Sequence, residues 1–509
     1  MEWQEVNTAR RRLAQERGAI VKDWGGRLPV ALVYPNTYAV GMSGLGFQTV
    51  YGQLNALPGV LCERAFAEPV PGNRQPITIE TQRPLSDFAV LAFSVTYELD
   101  YWNAVWVLRA AGLPPLATQR DDRHPLVIGG GPALTGNPEP MAAFFDAIVI
   151  GEAEPVLPAL AAAVQQGVQG DRATLLTSLA ALPGVYVPAL GQPPVRRLVA
   201  TDLDRFATIS VVLTRQTEFG DMFLVEVARG CGRGCRFCMA RSITAPLRER
   251  SLDALLQQAR VGLSYRRKIG LIGAAASDYS RMPELVAGLR GLGARIGVSS
   301  LRADSLSNDL LRALIQSGTR TVTLAPEAGS QRLRQIIGKG LTDDHLRRAA
   351  ELCRAERVPE VKLYFMVGLP GETDGDVAAI AQLAVHVAGW SGAKVTVSVA
   401  PFVPKAQTPF QRQAMLDVAT LRGRLDWLRR ACRGAGLGYR AEGPEWAAVQ
   451  GVLARGDRSL ALVLQEMQAN TLAEWARAMS ARGLRADDYL RGRSADETLP
   501  WAHVGVGAA

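Results

Sequence analysis

Histidine and lysine are both scarce in this chain of 509 residues: four histidines in all, and six lysines (Lys22, Lys268, Lys339, Lys362, Lys394 and Lys405) among 57 basic residues. No histidine precedes His124. Cysteine is scarce too, at six, which suits a reducing compartment and gives no disulfide framework. No apolar run reaches the roughly 20 residues of a membrane-spanning helix. The segment Met1–Arg17 is charged rather than signal-like, so a soluble, cytoplasmic protein is expected. The formal charge of +9 is carried almost wholly by arginine, scattered without a long run. That skew points to genome composition more than to a nucleic-acid surface, and nucleic acid is not the expected partner. RNA or an anionic small substrate stays compatible with the charge.

Half of the scarce cysteine is spent in one place. Cys231-Gly232-Arg233-Gly234-Cys235-Arg236-Phe237-Cys238 holds three cysteines at C-x3-C-x2-C spacing, just past the strand-like run Met222–Ala228. Thiolates are the natural ligands of a 4Fe–4S cluster, and three on one tight loop hold three corners and leave one iron open. Structural zinc takes four ligands. The nearest histidines, His124 and His345, lie more than a hundred residues away. Three buried thiols are the plainer alternative. Gly232 and Gly234 are expected to let the loop wrap, and Arg233 and Arg236 to add positive charge beside an anionic site.

The rest of the chain alternates apolar strands with helices, the pattern of parallel sheets covered on both faces. In the first region the strands are Leu28–Tyr34, Val60–Ala65, Phe88–Phe93, Leu126–Ile128 and Ala147–Ile150. Ligands of such sheets bind at the carboxyl ends of the strands, where Ser94, Thr96, Gly129, Gly130 and Gly131 fall. The alternation resumes with Met222–Ala228, Gly270–Ala274, Ile296–Leu301, Thr321–Ala325, Val361–Val367 and Val395–Ala400, six strands expected to form a partial (β/α)6 barrel. Successive strand residues face opposite sides. The continuous apolar faces would pack on outer helices and turn the polar ones inward, so Glu327 and Lys362 are candidate catalytic residues of a polar chamber. The third strand does not sort cleanly. Residues 413–509 have helical spacing and are expected to cap the barrel, which sets domains at 1–200, 201–412 and 413–509. Cys353 and Cys432 are expected as core thiols rather than ligands, and Cys62, His386 and His503 carry no site signal.

The cysteine motif, with aromatic Phe237 before its third cysteine, resembles that of the radical S-adenosylmethionine (SAM) superfamily. The resemblance implies that the open iron chelates the amino and carboxylate groups of SAM, and that one electron from the cluster cleaves the sulfonium bond to give a 5'-deoxyadenosyl radical. In the first region, the order Pro35-Asn36-Thr37-Tyr38, Ser94-Val95-Thr96, Gly129-Gly130-Gly131-Pro132 and Gly151-Glu152-Ala153-Glu154 resembles the flavodoxin-like cobalamin-binding domain that precedes many radical SAM domains. There the strand-end loops cradle the nucleotide tail. Asp-x-His-x-x-Gly is absent, so bound cobalt would lack a histidine from this region. A flavodoxin-like domain without cofactor is the alternative.

Further stretches resemble a cobalamin-domain subgroup of mostly unassigned reaction: Ser300-Leu301-Arg302-Ala303-Asp304, Ala325–Ser330, Lys362–Glu372, Pro404–Phe410, Arg455–Arg458 and Leu499–Trp501. By that resemblance Gly368–Gly371 meets adenine, and Ser300, Arg302 and Glu327 reach the ribose or carboxylate of SAM. Arg302 and Glu327 could instead form a structural ion pair. The usual Gly-Gly-Glu is replaced by Gly273-Ala274-Ala275-Ala276, leaving Ser277 and Asp278 as candidates to hold the SAM amino group. The implied activity is cobalamin-dependent methyl transfer to an unactivated carbon of a small molecule, fed by a one-electron donor such as flavodoxin or ferredoxin. Radical cyclisation or rearrangement is the near alternative, and a non-catalytic iron–sulfur or cobalamin carrier the distant one. A methylthiotransferase is not expected: it needs three N-terminal cysteines for a second cluster, and only Cys62 is present.

Overall fold

The computed structural model describes residues 3–68, 75–298 and 301–507. The chain divides into two compact units. One comprises Met1–Gly220, Leu453–Arg485 and Thr498–Ala509; the other comprises Asp221–Val452 and Ala486–Glu497. No helix among the described residues is long and apolar enough to cross a membrane.

The first unit is built on β1 (Leu28–Tyr34), β2 (Val60–Phe66), β3 (Val90–Ser94), β4 (Leu126–Gly130), β5 (Ala147–Val149) and β6 (Val185–Tyr186). Their order in the sheet is β2-β1-β3-β4-β5-β6. The first five run parallel and β6 is antiparallel to β5. Strands buried on both faces need apolar side chains on both, which β1 (LPVALVY) supplies. β2 breaks that rule with Glu63 and Arg64, both fully buried. Buried charge persists only when it is paired or hydrogen-bonded, and each of these is. Arg64 bonds Glu80 and Glu16 at 2.7 Å each, while Glu63 accepts from Trp24, Thr78 and Thr81.

The second unit holds β7 (Met222–Glu226), β8 (Lys268–Ile272), β9 (Arg295–Val298), β10 (Thr321–Glu327), β11 (Glu360–Val367), β12 (Lys394–Pro401) and β13 (Gly438–Ala441). They form parallel sheets ordered β9-β8-β7 and β10-β11-β12-β13, joined by a parallel bridge from Leu301 to Leu324. The alternation read from the sequence is present: Val361, Leu363, Phe365 and Val367 are buried, whereas Lys362, Tyr364 and Met366 are half-buried or exposed. The third strand resists sorting because Gly297 gives one face no side chain at that position. Gly297 pairs with Gly270, and Met222 lies over both glycines, within 3.2 Å of either missing Cβ.

Residues 413–509 are not one cap. Helix Val418–Gly434 packs on helix Asp374–Ser391, and β13 extends the barrel sheet by a seventh strand. Helix Leu460–Glu466 instead packs on Glu139–Phe144 and on helix Tyr101–Ala110 of the first unit. Arg458 pins that junction to buried Glu139 at 2.7 Å. The first division falls at Gly220, twenty residues past the expected boundary near 200, because Arg17 and Leu213 exchange backbone hydrogen bonds within the first unit.

Candidate functional site

The cysteine loop leaves the carboxyl end of β7 through Gly230. Its backbone is left-handed (φ +86°), and a Cβ there would meet the Pro246 carbonyl oxygen at 2.4 Å. Gly232 and Gly234, expected to be the turning glycines, have no such backbone, and a Cβ on either would meet nothing closer than 3.5 Å. All six cysteines are free, with Cys235 buried and Cys231 and Cys238 half-buried. Cys238 caps the helix Met239–Thr244, its Sγ accepting from Arg241 N at 3.4 Å. Among the described residues no group of His, Cys, Asp or Glu is gathered for a single metal ion. A four-iron cubane spreads its ligands more widely, and a soft all-thiolate donor set on one loop suits it.

The two arginines of the loop are braces. Arg233 bonds Asp278 at 2.7 Å and Asp304 at 3.0 Å. Arg236 donates its backbone N–H to Ile337 O at 2.9 Å and lays its guanidinium over the Phe410 ring, 4.7 Å from the centroid. The cations that bear on Cys235 are Lys339 and Arg302, with Glu327 the nearby anion. Glu327 accepts from Lys339 Nζ at 3.0 Å, while Arg302 bonds Asp304 at 3.0 Å and the Lys339 carbonyl at 3.2 Å. The alternative reading of an Arg302–Glu327 ion pair does not hold, since each is paired with another residue. Asp278 keeps one buried oxygen, Oδ1, with no hydrogen-bond partner among the described residues. Ser277 Oγ accepts from Arg302 N at 3.3 Å. Ser300 lies outside the described residues.

Phe237 packs with Ile336 and Met366 against the buried cluster of Ala328, Leu333, Ile337, Leu369, Phe402 and Phe410. This apolar wall stands beside the Gly368–Gly371 turn, where both glycines have left-handed φ (+92° and +77°). Glu372 secures the turn: its carboxylate accepts from Gly368 N and from Arg424, each at 2.7 Å. Burial pushes that carboxyl up to about 7. Lys362 sits elsewhere. It pairs in register with Thr323 and Thr396, and its Nζ bonds Tyr364 OH at 2.9 Å. Glu327 pairs with Phe365, about 10 Å further along the strand at ~3.3 Å per residue. The two candidate catalytic residues are therefore not neighbours.

Sequence reasoning passed over Lys339 and Arg334. Arg334 is fully buried and ties Ala328 O, Gly329 O and Leu341 O together, with Asp343 as its counter-ion. It thereby shapes the segment that carries both Glu327 and Lys339. The available signal for Lys339 was its rarity: one of six lysines, between Gly338 and Gly340, both of left-handed backbone (φ +69°).

In the first unit the candidate loops meet at the carboxyl edge of the sheet, where the strand order reverses between β1 and β3. Tyr34 OH bonds Thr96 Oγ1 at 2.6 Å, Asn36 Nδ2 bonds Asp100 at 2.7 Å, and Asn103 bonds Pro35 O at 2.9 Å. Burial raises the Asp100 carboxyl to about 6. Ser94 and Thr96 are half-buried there. The glycines serve the protein's own packing. A Cβ on Gly131 (φ +112°) would stand 2.5 Å from Val95 O, and one on Gly129 would stand 2.8 Å from Leu134. Gly130 alone of the three has room, 3.8 Å to its nearest neighbour.

A parallel-stranded α/β barrel with three cysteines past its first strand is the architecture of a radical SAM enzyme, and comparison with known proteins agrees. Residues 225–384 match the model of the radical SAM superfamily, and residues 46–188 match that of the N-terminal region of radical SAM proteins. The uncharacterized protein MJ0966 of Methanocaldococcus jannaschii is 31% identical over 86% of this chain and 90% of its own length. The chain belongs to the radical SAM superfamily and shares a family with that protein. A tRNA-2-methylthio-N(6)-dimethylallyladenosine synthase of Cereibacter sphaeroides is 30% identical over 225 residues, 42% of this chain and about half (51%) of that enzyme. The fold is similar to that of the cobalamin-dependent S-adenosylmethionine radical enzyme OxsB. With aqua-cobalamin and S-adenosylmethionine bound, OxsB aligns at TM-score 0.53 and 13% identity, over 90% of this chain and 71% of that one. With aqua-cobalamin alone it aligns at 0.51 and 16%, over 70% of this chain and 52% of that one.

Proposed function

We propose that this radical SAM enzyme works with cobalamin and transfers a methyl group to an unactivated carbon of a small-molecule substrate. The observation that carries the cobalamin half is the first unit's parallel sheet. Its switch point is lined by Tyr34, Asn36, Thr96 and Asp100, and Gly130 nearby has no neighbour closer than 3.8 Å to a Cβ. Ligands of open α/β sheets bind at such a point. The likeness of fold to OxsB supports the same reading. No histidine precedes His124, and His124 is engaged with Asp121 at 2.8 Å, so cobalt would be bound without an imidazole from these loops.

A cluster on Cys231, Cys235 and Cys238 supplies, when bound, the electron that cleaves SAM. The chain's own groups bind and orient. The buried Oδ1 of Asp278 is an unclaimed acceptor suited to the SAM ammonium, filling the part that Gly-Gly-Glu would play. Arg302 and Lys339 put positive charge where a carboxylate would lie. The Gly368–Gly371 turn, held by Glu372 and Arg424, would receive the adenine, and the wall of Phe237, Leu369 and Phe402 would exclude water from the reacting atoms. Lys362 and Tyr364, on the polar strand face, contact substrate rather than cofactor. A one-electron donor such as flavodoxin or ferredoxin completes the system.

The test uses the anaerobically reconstituted full chain. Formation of 5'-deoxyadenosine under reducing conditions separates an enzyme from a carrier. Cobalamin should be retained with a spectrum that lacks a histidine ligand, and labelled methyl from SAM should appear in product. The substrate can be sought by untargeted metabolite comparison of a deletion strain. Retention of cobalamin without label transfer would replace methylation by cyclisation or rearrangement. Failure to retain cobalamin would remove the cofactor from the proposal.

A further inference from the structure

The turn Ile336–Gly340 is docked onto the cysteine loop, backbone against backbone. Arg236 N donates to Ile337 O at 2.9 Å, and Arg236 Nη1 reaches Ile336 O at 3.3 Å. Gly338 lies so close that a Cβ there would stand 2.2 Å from the Gly234 carbonyl oxygen. On the far side, Arg302 ties down the Lys339 carbonyl. The turn is therefore tied to the cysteines, and it buries Ile337 in the apolar wall and, as its one charged side chain, Lys339. That ammonium is buried, 8% exposed, and is held at 3.0 Å by Glu327. Glu327 itself sits at φ +69°, a left-handed backbone uncommon for a residue with a Cβ, just after a register shift at the end of β10. The chain thus holds a carboxylate on left-handed backbone against a buried lysine, on the turn docked to the cysteine loop beside Cys235.

We propose that Lys339 is a positioning residue that sets the charge at the Cys235 corner of the cluster, with Glu327 as its counter-charge, and that this pair tunes the potential at which the protein accepts its electron. A cluster gains negative charge on reduction, so a nearby cation favours the reduced form and a nearby anion opposes it. Water is largely excluded here, so neither charge is well screened. The inference rests on the cysteines holding a cluster, and goes beyond that reading in naming what sets its potential.

The test is a potentiometric titration of the reconstituted full chain without SAM, followed by electron paramagnetic resonance, with iron measured on each sample. Lys339→Met should shift the midpoint to lower potential and Glu327→Gln to higher potential. The double variant should return towards the wild-type value, and Lys339→Arg should keep it. A role in shape alone would not give shifts of opposite sign. Unmoved midpoints with full iron, or two single variants shifting the same way, would overturn the proposal. If Lys339→Met fails to hold iron, Glu327→Gln decides: no upward shift rejects it. A wild-type chain that binds no iron would instead defeat the cluster reading, a result distinct from a cluster whose potential does not respond.

Discussion

Two glycine-bearing loops at strand ends, Gly129–Gly131 in the first unit and Gly230–Cys238 in the second, look alike in sequence and are used differently. In the first, Gly131 lets the backbone close on Val95 and Gly129 makes room for Leu134, so two of three glycines serve internal packing. In the second, the demanding glycines are Gly230, which closes on Pro246, and Gly338, which comes from another turn altogether and closes on Gly234. A glycine reports that something approaches closely, and does not say what. Cysteine spacing is more informative, because thiolates near one another are justified by what they bind.

The two loops should differ most at the thiolates. Replacing Cys231, Cys235 and Cys238 by alanine should take the anaerobically purified protein from about four irons per chain to none. Full iron in the triple variant would end the cluster assignment. Next in size are paired glycine substitutions. Gly131→Ala should lower stability by roughly 3 kcal/mol, through left-handed strain and a backbone clash, and leave iron content intact. Gly338→Ala should do the reverse, losing iron while the circular dichroism of the fold persists. Equal iron loss in both would mean the two loops are not separable.

A smaller effect concerns the adenine turn. Burial raises the Glu372 carboxyl to about 7, above its ordinary 4.5. The native state therefore holds a proton that the unfolded state releases. Glu372 contributes most stability below about pH 4.5 and loses it as pH rises through about 7. Glu372→Gln should flatten this slope, so that the variant gains on wild type by about 2 kcal/mol between pH 5 and 8, measured by denaturant unfolding. A parallel pH profile would show that Arg424 fully offsets the burial. The smallest stability change is expected at Lys362, whose contacts are with half-exposed Tyr364. Lys362→Met should alter unfolding free energy by less than about 0.5 kcal/mol while slowing turnover. A lowered melting temperature with SAM cleavage spared would make Lys362 a structural residue.

Periodicity alone located the strands, because burial on one face of a strand leaves a mark at every second residue. Val361 to Val367 and Val395 to Val399 carry that mark, and the sheet follows it. It failed where a face is built by a neighbour's side chain: β9 reads poorly because Met222 fills the space over Gly270 and Gly297. β13, four residues long, is too short to show a period. The three cysteines were legible as a site because they are close in sequence and their chemistry is local.

What sequence could not assign is which charges meet. Arg233 bears on Cys231 while bonding Asp278 and Asp304, and Arg236 lies over Phe410, whereas the cations beside Cys235, Lys339 and Arg302, come from far along the chain. Strand pattern, helix caps and thiolate spacing are set by interactions within a few residues, so the sequence by itself determined them. The pairing of Glu327 with Lys339, and the division of residues 413–509 between two units, depend on contacts across long stretches of chain. Only the packed tertiary structure decided those, because an ion pair or a docked turn is stable only where burial and backbone approach bring its halves together.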